Sequence, residues 1–208
     1  MLEPYKRIWH LDESCKNLLN SYQKALIIVG PSGSGKSTCA NYIESKYNYQ
    51  KLNLYTTREK RNSILENSVI SLSKASFIEK VNSNSFFLYR IGIDPFYGYL
   101  KTDLDNIIRS GKKPILMFRN HGIRFLMNVL PTMNVVFIIG NAKEISQHSE
   151  SVSPKFSETD VQKALDSYQC IMKCLEKKGL KYYTIYNNYE NAFYEKIDSI
   201  ILGGKIDD

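Results

Sequence analysis

The chain has 208 residues, 43% hydrophobic and 12% aromatic, with a net charge of +7 from 28 basic and 21 acidic side chains. This length and composition suit one globular domain with a real core and exclude a disordered chain. The basic residues form no block of five or six, so charge alone does not select nucleic acid over a nucleotide phosphate or a lysine-rich surface.

Residues 1–24 read as a helical extension, with a helix from Leu11 to Tyr22, Asp12 or Ser14 as its cap, and Leu18, Leu19 and Tyr22 on one stripe. Ala25-Leu26-Ile27-Ile28-Val29 is an apolar strand, and Gly30-Pro31-Ser32-Gly33-Ser34-Gly35-Lys36-Ser37-Thr38 follows it, leading into a helix from Cys39 to Tyr47. Strand, glycine-rich loop and helix in that order make a phosphate-binding loop. Gly30, Gly33 and Gly35 let backbone N–H groups turn inward, and Ser32, Ser34 and Thr38 complete the nucleotide-binding stretch. The helix adds its N-terminal amides and the positive end of its dipole. Lys36 is expected on the β- and γ-phosphates of ATP, and the Ser37 hydroxyl on Mg²⁺.

Leu52 to Tyr55 alternates and reads as a second strand running into Thr56-Thr57-Arg58-Glu59-Lys60-Arg61, whose paired arginines form a fork for a second phosphate. Val69 to Leu72 reads as a short strand, Phe77 to Val81 as helix, Phe86 to Arg90 as a strong strand, and Asp94 to Tyr99 as an aromatic turn. A helix from Leu100 to Arg109, with Leu104, Ile107 and Ile108 inward, stops at Gly111. Strands over 114–118, 135–139 and 182–186 follow, with helices over 122–130 and 190–202. The polar stretch 141–165 offers no core and reads as a lid over reacting phosphates, ending in a helix from Ser157 to Lys178. This alternation predicts an α/β fold of the P-loop NTPase type: a five-stranded parallel sheet, helices on both faces, a small acceptor-binding insertion over 54–99 and a lid over 141–160, all in one domain. Cys15, Cys39, Cys170 and Cys174 read as reduced thiols, the last two packing in the core rather than binding metal. No run of about 18 apolar residues is present, and Met1 to Arg7 lacks the apolar core of a signal peptide, so a cytoplasmic protein without a membrane partner is expected.

Taken together, the loop, Thr56-Thr57-Arg58 with Arg61, Tyr97-Gly98, Arg119-Asn120-His121-Gly122 and Tyr186-Asn187-Asn188 resemble the guanylate kinase family of P-loop nucleoside monophosphate kinases, over roughly Ala25 to Leu202. The resemblance implies ATP and Mg²⁺ as cofactors and a small phosphorylated acceptor. It places Arg58, Arg61 and Tyr97 on the acceptor phosphate, Asn187 or Asn188 near the adenine, and Lys36 and Arg58 as the catalytic pair.

The family reads guanine with carboxylates, and their counterparts here are Leu88 and Met117 or Arg119. Leucine and arginine offer no acceptor to a guanine ring. Ser68-Val69-Ile70 stands where the family has a tyrosine, Tyr99 where it has a serine, and the lid contains no arginine, only Lys143, His148 and Lys155. Phosphate-gripping groups are kept and base-reading groups lost, as in the similar ribose 1,5-bisphosphate phosphokinases. Arg119 then suits a second anionic group on the acceptor, or an ion pair with Asp94. The alternative is a non-catalytic guanylate kinase-like module that binds a phosphorylated peptide or nucleotide. No clustered basic and aromatic surface supports a nucleic-acid partner.

Overall fold

Leu26–Val29 (β2) is entirely buried, as a strand covered on both faces must be, and it forms the centre of the fold. The computed structural model describes residues 8–15, 25–59, 67–92, 94–119, 125, 134–152 and 156–202. β2 lies parallel between Lys113–Phe118 (β8) and Asn134–Ile139 (β9), with Val29 level with Phe118 and Phe137. Tyr49–Lys51 (β3) and Tyr183–Tyr186 (β10) close a five-stranded parallel sheet in the order β10-β9-β2-β8-β3. On one face Leu26 and Ile28 pack with Cys39 and Ile43 of helix α1 (Lys36–Lys46) and with Phe193 and Ile197 of α6 (Ala192–Leu202). On the other, Ile27, Val29 and Phe137 meet Val161, Leu165 and Tyr168 of α5 (Glu158–Lys177). Burying one such aliphatic side chain contributes about 1.5–3 kcal/mol. The expected α/β architecture, with helices on both faces, is the one observed.

A second five-stranded sheet stands beside it in the order β1-β6-β7-β4-β5, formed by Ile8–Leu11 (β1), Leu54–Thr56 (β4), Val69–Ser71 (β5), Phe86–Ile91 (β6) and Tyr97–Leu100 (β7). Helix α2 (Lys74–Asn82) covers one face, where Phe77 stacks on Phe86. The other face meets the parallel sheet, and Tyr99 donates its hydroxyl to the Met117 carbonyl at 2.8 Å. Helix α3 (Lys101–Arg109) follows β7 directly, with Leu104 and Ile107 inward.

Several expectations change. The single strand expected over 52–55 is split: Leu52 donates to the Ile115 carbonyl of one sheet and Leu54 to the Ser68 carbonyl beside the other. Alternation runs unbroken through this switch, so periodicity could not mark it. The second half of the expected aromatic turn is β7, made possible by Gly98, where a Cβ would lie 2.7 Å from the Phe86 ring. Ile8–Leu11 is a strand, antiparallel to β6, and Asp12 caps residues 13–15 by accepting from the Ser14 and Cys15 amides at 3.0 and 3.4 Å. The rest of that expected helix lies outside the described residues, as does the helix over 122–130 apart from Phe125, which is helical. Residues Ala142–Val152 form helix α4, and its Ile145 is fully buried, so the polar stretch does contribute to the core. Cys15 and Cys39 are buried, but Cys170 and Cys174 are exposed on α5 rather than packed inside. Among the described residues no helix is long and apolar enough to cross a membrane.

Lys101 bonds Asp12 at 2.8 Å, and this bond with that of the Ser14 hydroxyl holds the Asp12 carboxyl well below the usual carboxylate range. A depressed native pKa stabilises above the unfolded value of about 3.9 and is lost as pH falls below it. Asp12→Asn should therefore lower stability at pH 7, and the loss should shrink progressively as pH falls from about 5 towards 2, measured by urea denaturation. Equal losses at both pH values would contradict the pairing.

Candidate functional site

The loop after β2 is shaped by two close approaches. A Cβ on Gly30 would lie 2.4 Å from Ser34 Oγ and 2.8 Å from the Ile138 carbonyl. Gly35, the N-cap of α1, has a φ of 93°, and a Cβ there would lie 2.5 Å from Asn187 Nδ2. No side chain caps α1 and its first turn holds no acidic residue, so its leading amides and positive dipole end face the loop. Ser34 is fully buried, with no hydrogen-bond partner for its hydroxyl among the described residues. Lys36 folds back and donates to the Pro31 carbonyl at 2.5 Å, while Ser37 and Thr38 are partly exposed at the start of α1. Free helix-leading amides, a lysine and a hydroxyl on one turn are the groups that can bind a polyphosphate. Among the described residues no cluster of three or more His, Cys, Asp or Glu could hold a metal.

The loop is held from outside by the segment after β10. Asn187 is buried; its backbone N–H bonds the Ile139 carbonyl at 2.8 Å, and its Nδ2 donates to the Ser34 carbonyl at 2.9 Å. Its Oδ1 accepts from the Tyr189 amide at 2.9 Å, and the Tyr189 hydroxyl donates to the Gly33 carbonyl at 2.9 Å. Burial and the nearby Glu144 carboxylate push that hydroxyl up to about 12, which keeps it a donor. The Tyr189 ring stacks on His148 of α4 with centroids 3.8 Å apart. Asn188 is exposed and bonds Glu190 at 2.6 Å. On the other side of the helix, Asp198 of α6 accepts from the Tyr42 and Tyr47 hydroxyls of the α1 region at 2.9 and 2.6 Å. The roles of Tyr189 and Asp198 carry no sequence signal, because each depends on which carbonyl or hydroxyl the fold brings opposite.

The second sheet presents the other candidate groups. Arg58 is partly buried; its amide bonds Thr56 Oγ1 at 3.1 Å and its Nη1 the Glu59 carbonyl at 2.9 Å. Thr57 Oγ1 accepts from the Phe96 amide at 2.9 Å, fixing the Arg58 turn against β7. Tyr97 lies level with Thr56 and Arg90, and the Arg90 guanidinium sits 4.6 Å from the centre of its ring. A cleft of about 500 Å³ borders Arg58, lined by Thr57, Ser73, Lys74, Asp94 and Pro95. Asp94 pairs with Lys74 at 3.0 Å, and Arg119 is exposed with its guanidinium 4.4 Å from the Phe156 ring centre. The expected alternative of an Arg119–Asp94 pair is thus replaced by other partners for both. Arg61, His121 and Lys155 lie outside the described residues. A buried lysine, Lys51, joins the two regions: it bonds Asn41 and Glu44 of α1 at 2.5 and 3.0 Å and Asn67 before β5 at 3.0 Å.

A parallel sheet carrying this loop between its central strand and first helix defines a P-loop NTPase fold. The Guanylate kinase family model matches residues 22–202, and the chain belongs to that family. It is 26% identical over 197 residues to a guanylate kinase of Mycoplasmopsis synoviae (strain 53), covering 88% of this chain and 96% of that protein. It is 28% identical over 163 residues to one of Helicobacter pylori (strain J99), covering 76% and 78% respectively. The crystal structure of guanylate kinase from Anaplasma phagocytophilum shares the fold with a TM-score of 0.62 at 20% identity, over 88% of this chain and 86% of that one.

Removing the Asn187 amide leaves the Ser34 carbonyl without its clamp. Breaking a buried hydrogen bond costs about 1–3 kcal/mol, or roughly tenfold per 1.4 kcal/mol. Asn187→Ala should weaken ATP binding about tenfold in calorimetry; unchanged affinity in a folded variant would show that the clamp does not shape the loop.

Proposed function

We propose that the protein is an ATP-dependent phosphotransferase acting on a phosphorylated small molecule, a guanylate kinase-like enzyme with altered base recognition. The observation that carries this reading is the phosphate loop itself: α1 opens on an uncapped Gly35 with Lys36 and Ser37 on its first turn, and Asn187 clamps the backbone behind it. The groups present fit ATP with Mg²⁺, because the loop offers amides, a cation and a hydroxyl without a competing carboxylate in the first turn. Mg²⁺ would meet the Ser37 hydroxyl and supply charge neutralisation between the phosphates.

Within this reading Gly30, Ser32, Gly33, Ser34, Gly35 and Thr38 wrap the triphosphate, and Lys36 swings from the Pro31 carbonyl onto the β- and γ-phosphates. Arg58, Arg61, Tyr97 and Arg119 hold the acceptor, and Arg58 also balances charge on the transferring group. Phosphoryl transfer of this kind needs in-line positioning and electrostatic stabilisation more than a protein base. The second sheet serves as the acceptor-binding lobe of a single domain. Residues 141–160 serve as the lid, and His148 rests on Tyr189, whose hydroxyl bonds the loop at Gly33. Asn187 acts on ATP through the loop backbone, and Asn188, being exposed, is the one of the pair open to an adenine. The acceptor is a nucleoside monophosphate or sugar phosphate in the cytoplasm.

The absence of arginine from 141–160, where the family neutralises transferred charge, favours a second reading as a non-catalytic module that binds a phosphorylated peptide or nucleotide. Lys36→Ala separates them. It should reduce ADP formation at least a thousandfold, on the scale of a lost charge clamp, with the melting temperature unchanged. Wild-type protein that binds ATP but forms no ADP with any acceptor would favour the module. Arg58→Ala should raise the acceptor KM about tenfold or more and leave the ATP KM in place; an unchanged acceptor KM would remove Arg58 from the acceptor site.

A further inference from the structure

The turn that carries Arg58 is gripped by a pair of strands, and both strands trace back to one buried ammonium. β4 delivers the chain to Arg58, and β5 runs parallel beside it, with Leu54 level with Val69 and Thr56 with Ser71. Where the pair ends, the Ser71 hydroxyl donates to the Arg58 carbonyl at 2.9 Å and the Leu72 amide to the Thr56 carbonyl at 2.8 Å. Where it begins, Lys51 stands just before β4 and Asn67 just before β5, and Lys51 Nζ donates to Asn67 Oδ1 at 3.0 Å.

An ammonium carries three donors, and Lys51 has a partner for each. Besides Asn67 it reaches Asn41 Oδ1 at 2.5 Å and Glu44 Oε2 at 3.0 Å, both on α1, and its backbone amide donates to Glu44 Oε1 at 2.9 Å. Lys51 is 7% exposed, so water cannot replace a partner that moves away, and an unpaired donor here carries the cost of a buried charge. The ammonium therefore fixes where its three oxygens lie relative to one another. Two of them belong to the helix that starts at Lys36, behind the phosphate loop. The third belongs to the approach of β5, the edge strand of the second sheet. The chain itself crosses from one sheet to the other between Leu52 and Leu54, directly after Lys51. One side chain thus spans from the helix of the phosphate loop to the strands of the Arg58 turn.

We propose that Lys51 is a positioning residue of the acceptor site: its ammonium holds the Arg58 turn at a set distance and angle from the phosphate loop. The role of Arg58 in this rests on the phosphotransferase reading. Lys51 adds to that reading a residue that acts through Asn67, β5 and Ser71, without itself meeting either substrate.

The test separates geometry from binding. Spin labels at Ser45→Cys on α1 and Glu79→Cys on α2, in a Cys170→Ser, Cys174→Ser background, report the distance between the loop helix and the second sheet; all these positions are exposed. Calorimetry on the unlabelled protein gives affinities for GMP and, separately, for ATP·Mg²⁺. Asn67 is exposed, so Asn67→Ala removes one partner of the ammonium and leaves the core intact. It should broaden or shift the distance distribution and weaken GMP about tenfold while ATP affinity stays within about twofold, as loss of one charge-assisted hydrogen bond on the acceptor side requires. Asn67→Asp keeps an acceptor oxygen on the ammonium and should restore both readouts. Lys51→Met should match or exceed the effect of Asn67→Ala; if it does not fold, the two Asn67 variants decide alone. An unchanged distance distribution in Asn67→Ala would overturn the proposal. A changed distribution with unchanged GMP affinity, or with equal losses of GMP and ATP, would leave Lys51 a purely structural residue and overturn its positioning role. Wild type that binds ATP but not GMP would remove the acceptor part of the proposal. Wild type that binds neither, with distances that respond as expected, would mean that the phosphotransferase reading has failed although the junction is real.

Discussion

The shape of the phosphate loop depends on one amide lying 153 positions further along the chain, the Asn187 side chain on the Ser34 carbonyl. The topology makes that bond possible. β9 lies between β2 and β10 and is parallel to both, so the segment leaving β10 emerges at the same edge as the loop leaving β2. Gly35 follows from the same contact, since any Cβ would occupy the space of the amide nitrogen. Tyr189 holds a second outward carbonyl, at Gly33, and leans on His148. Two loop carbonyls, at Ser34 and Gly33, are thus held by side chains from the segment after β10, and the positive end of the α1 dipole lies at the loop's end.

The second sheet is bound to this frame at fixed points. Tyr99 joins it to the Met117 carbonyl at the edge of the parallel sheet, and Lys51 joins α1 to the approach of β5. Lys51 is 7% exposed, so its charge is sustained by Glu44 and two asparagine carbonyls rather than by water. One face is closed by Phe77 of α2 packed on Phe86 and Phe96, and the other meets the parallel sheet.

The parallel strands were legible because burial on both faces forces continuous apolar runs, as at Ala25 to Val29 and Val135 to Ile139. The loop was legible because its glycine spacing has one main physical use. The boundary at Leu52 and Leu54 was not, since alternation is blind to a change of partner strand. β7 was hidden because Pro95 and Gly98 read as turn residues, whereas Gly98 serves to admit the Phe86 ring. Phe86 to Arg90 is legible as a strand, and the placing of the Arg90 guanidinium on the Tyr97 ring depends on the register of β6 against β7. Ile145 gives no visible stripe because it is a single isoleucine among polar neighbours, yet it and Ala142 both enter the core from α4. Asn187 drew notice through resemblance, but its bond to the loop backbone depends on the adjacency of β9 and β10.

The fate of the terminal phosphate of ATP decides between an enzyme and a binding module. Protein incubated with γ-labelled ATP, Mg²⁺ and a panel of nucleoside monophosphates and sugar phosphates should move the label onto one phosphorylated acceptor, with ADP formed in equal amount. Label that remains on ATP, or passes only to water, across the whole panel would contradict a phosphotransferase and leave the fold as a nucleotide-binding scaffold.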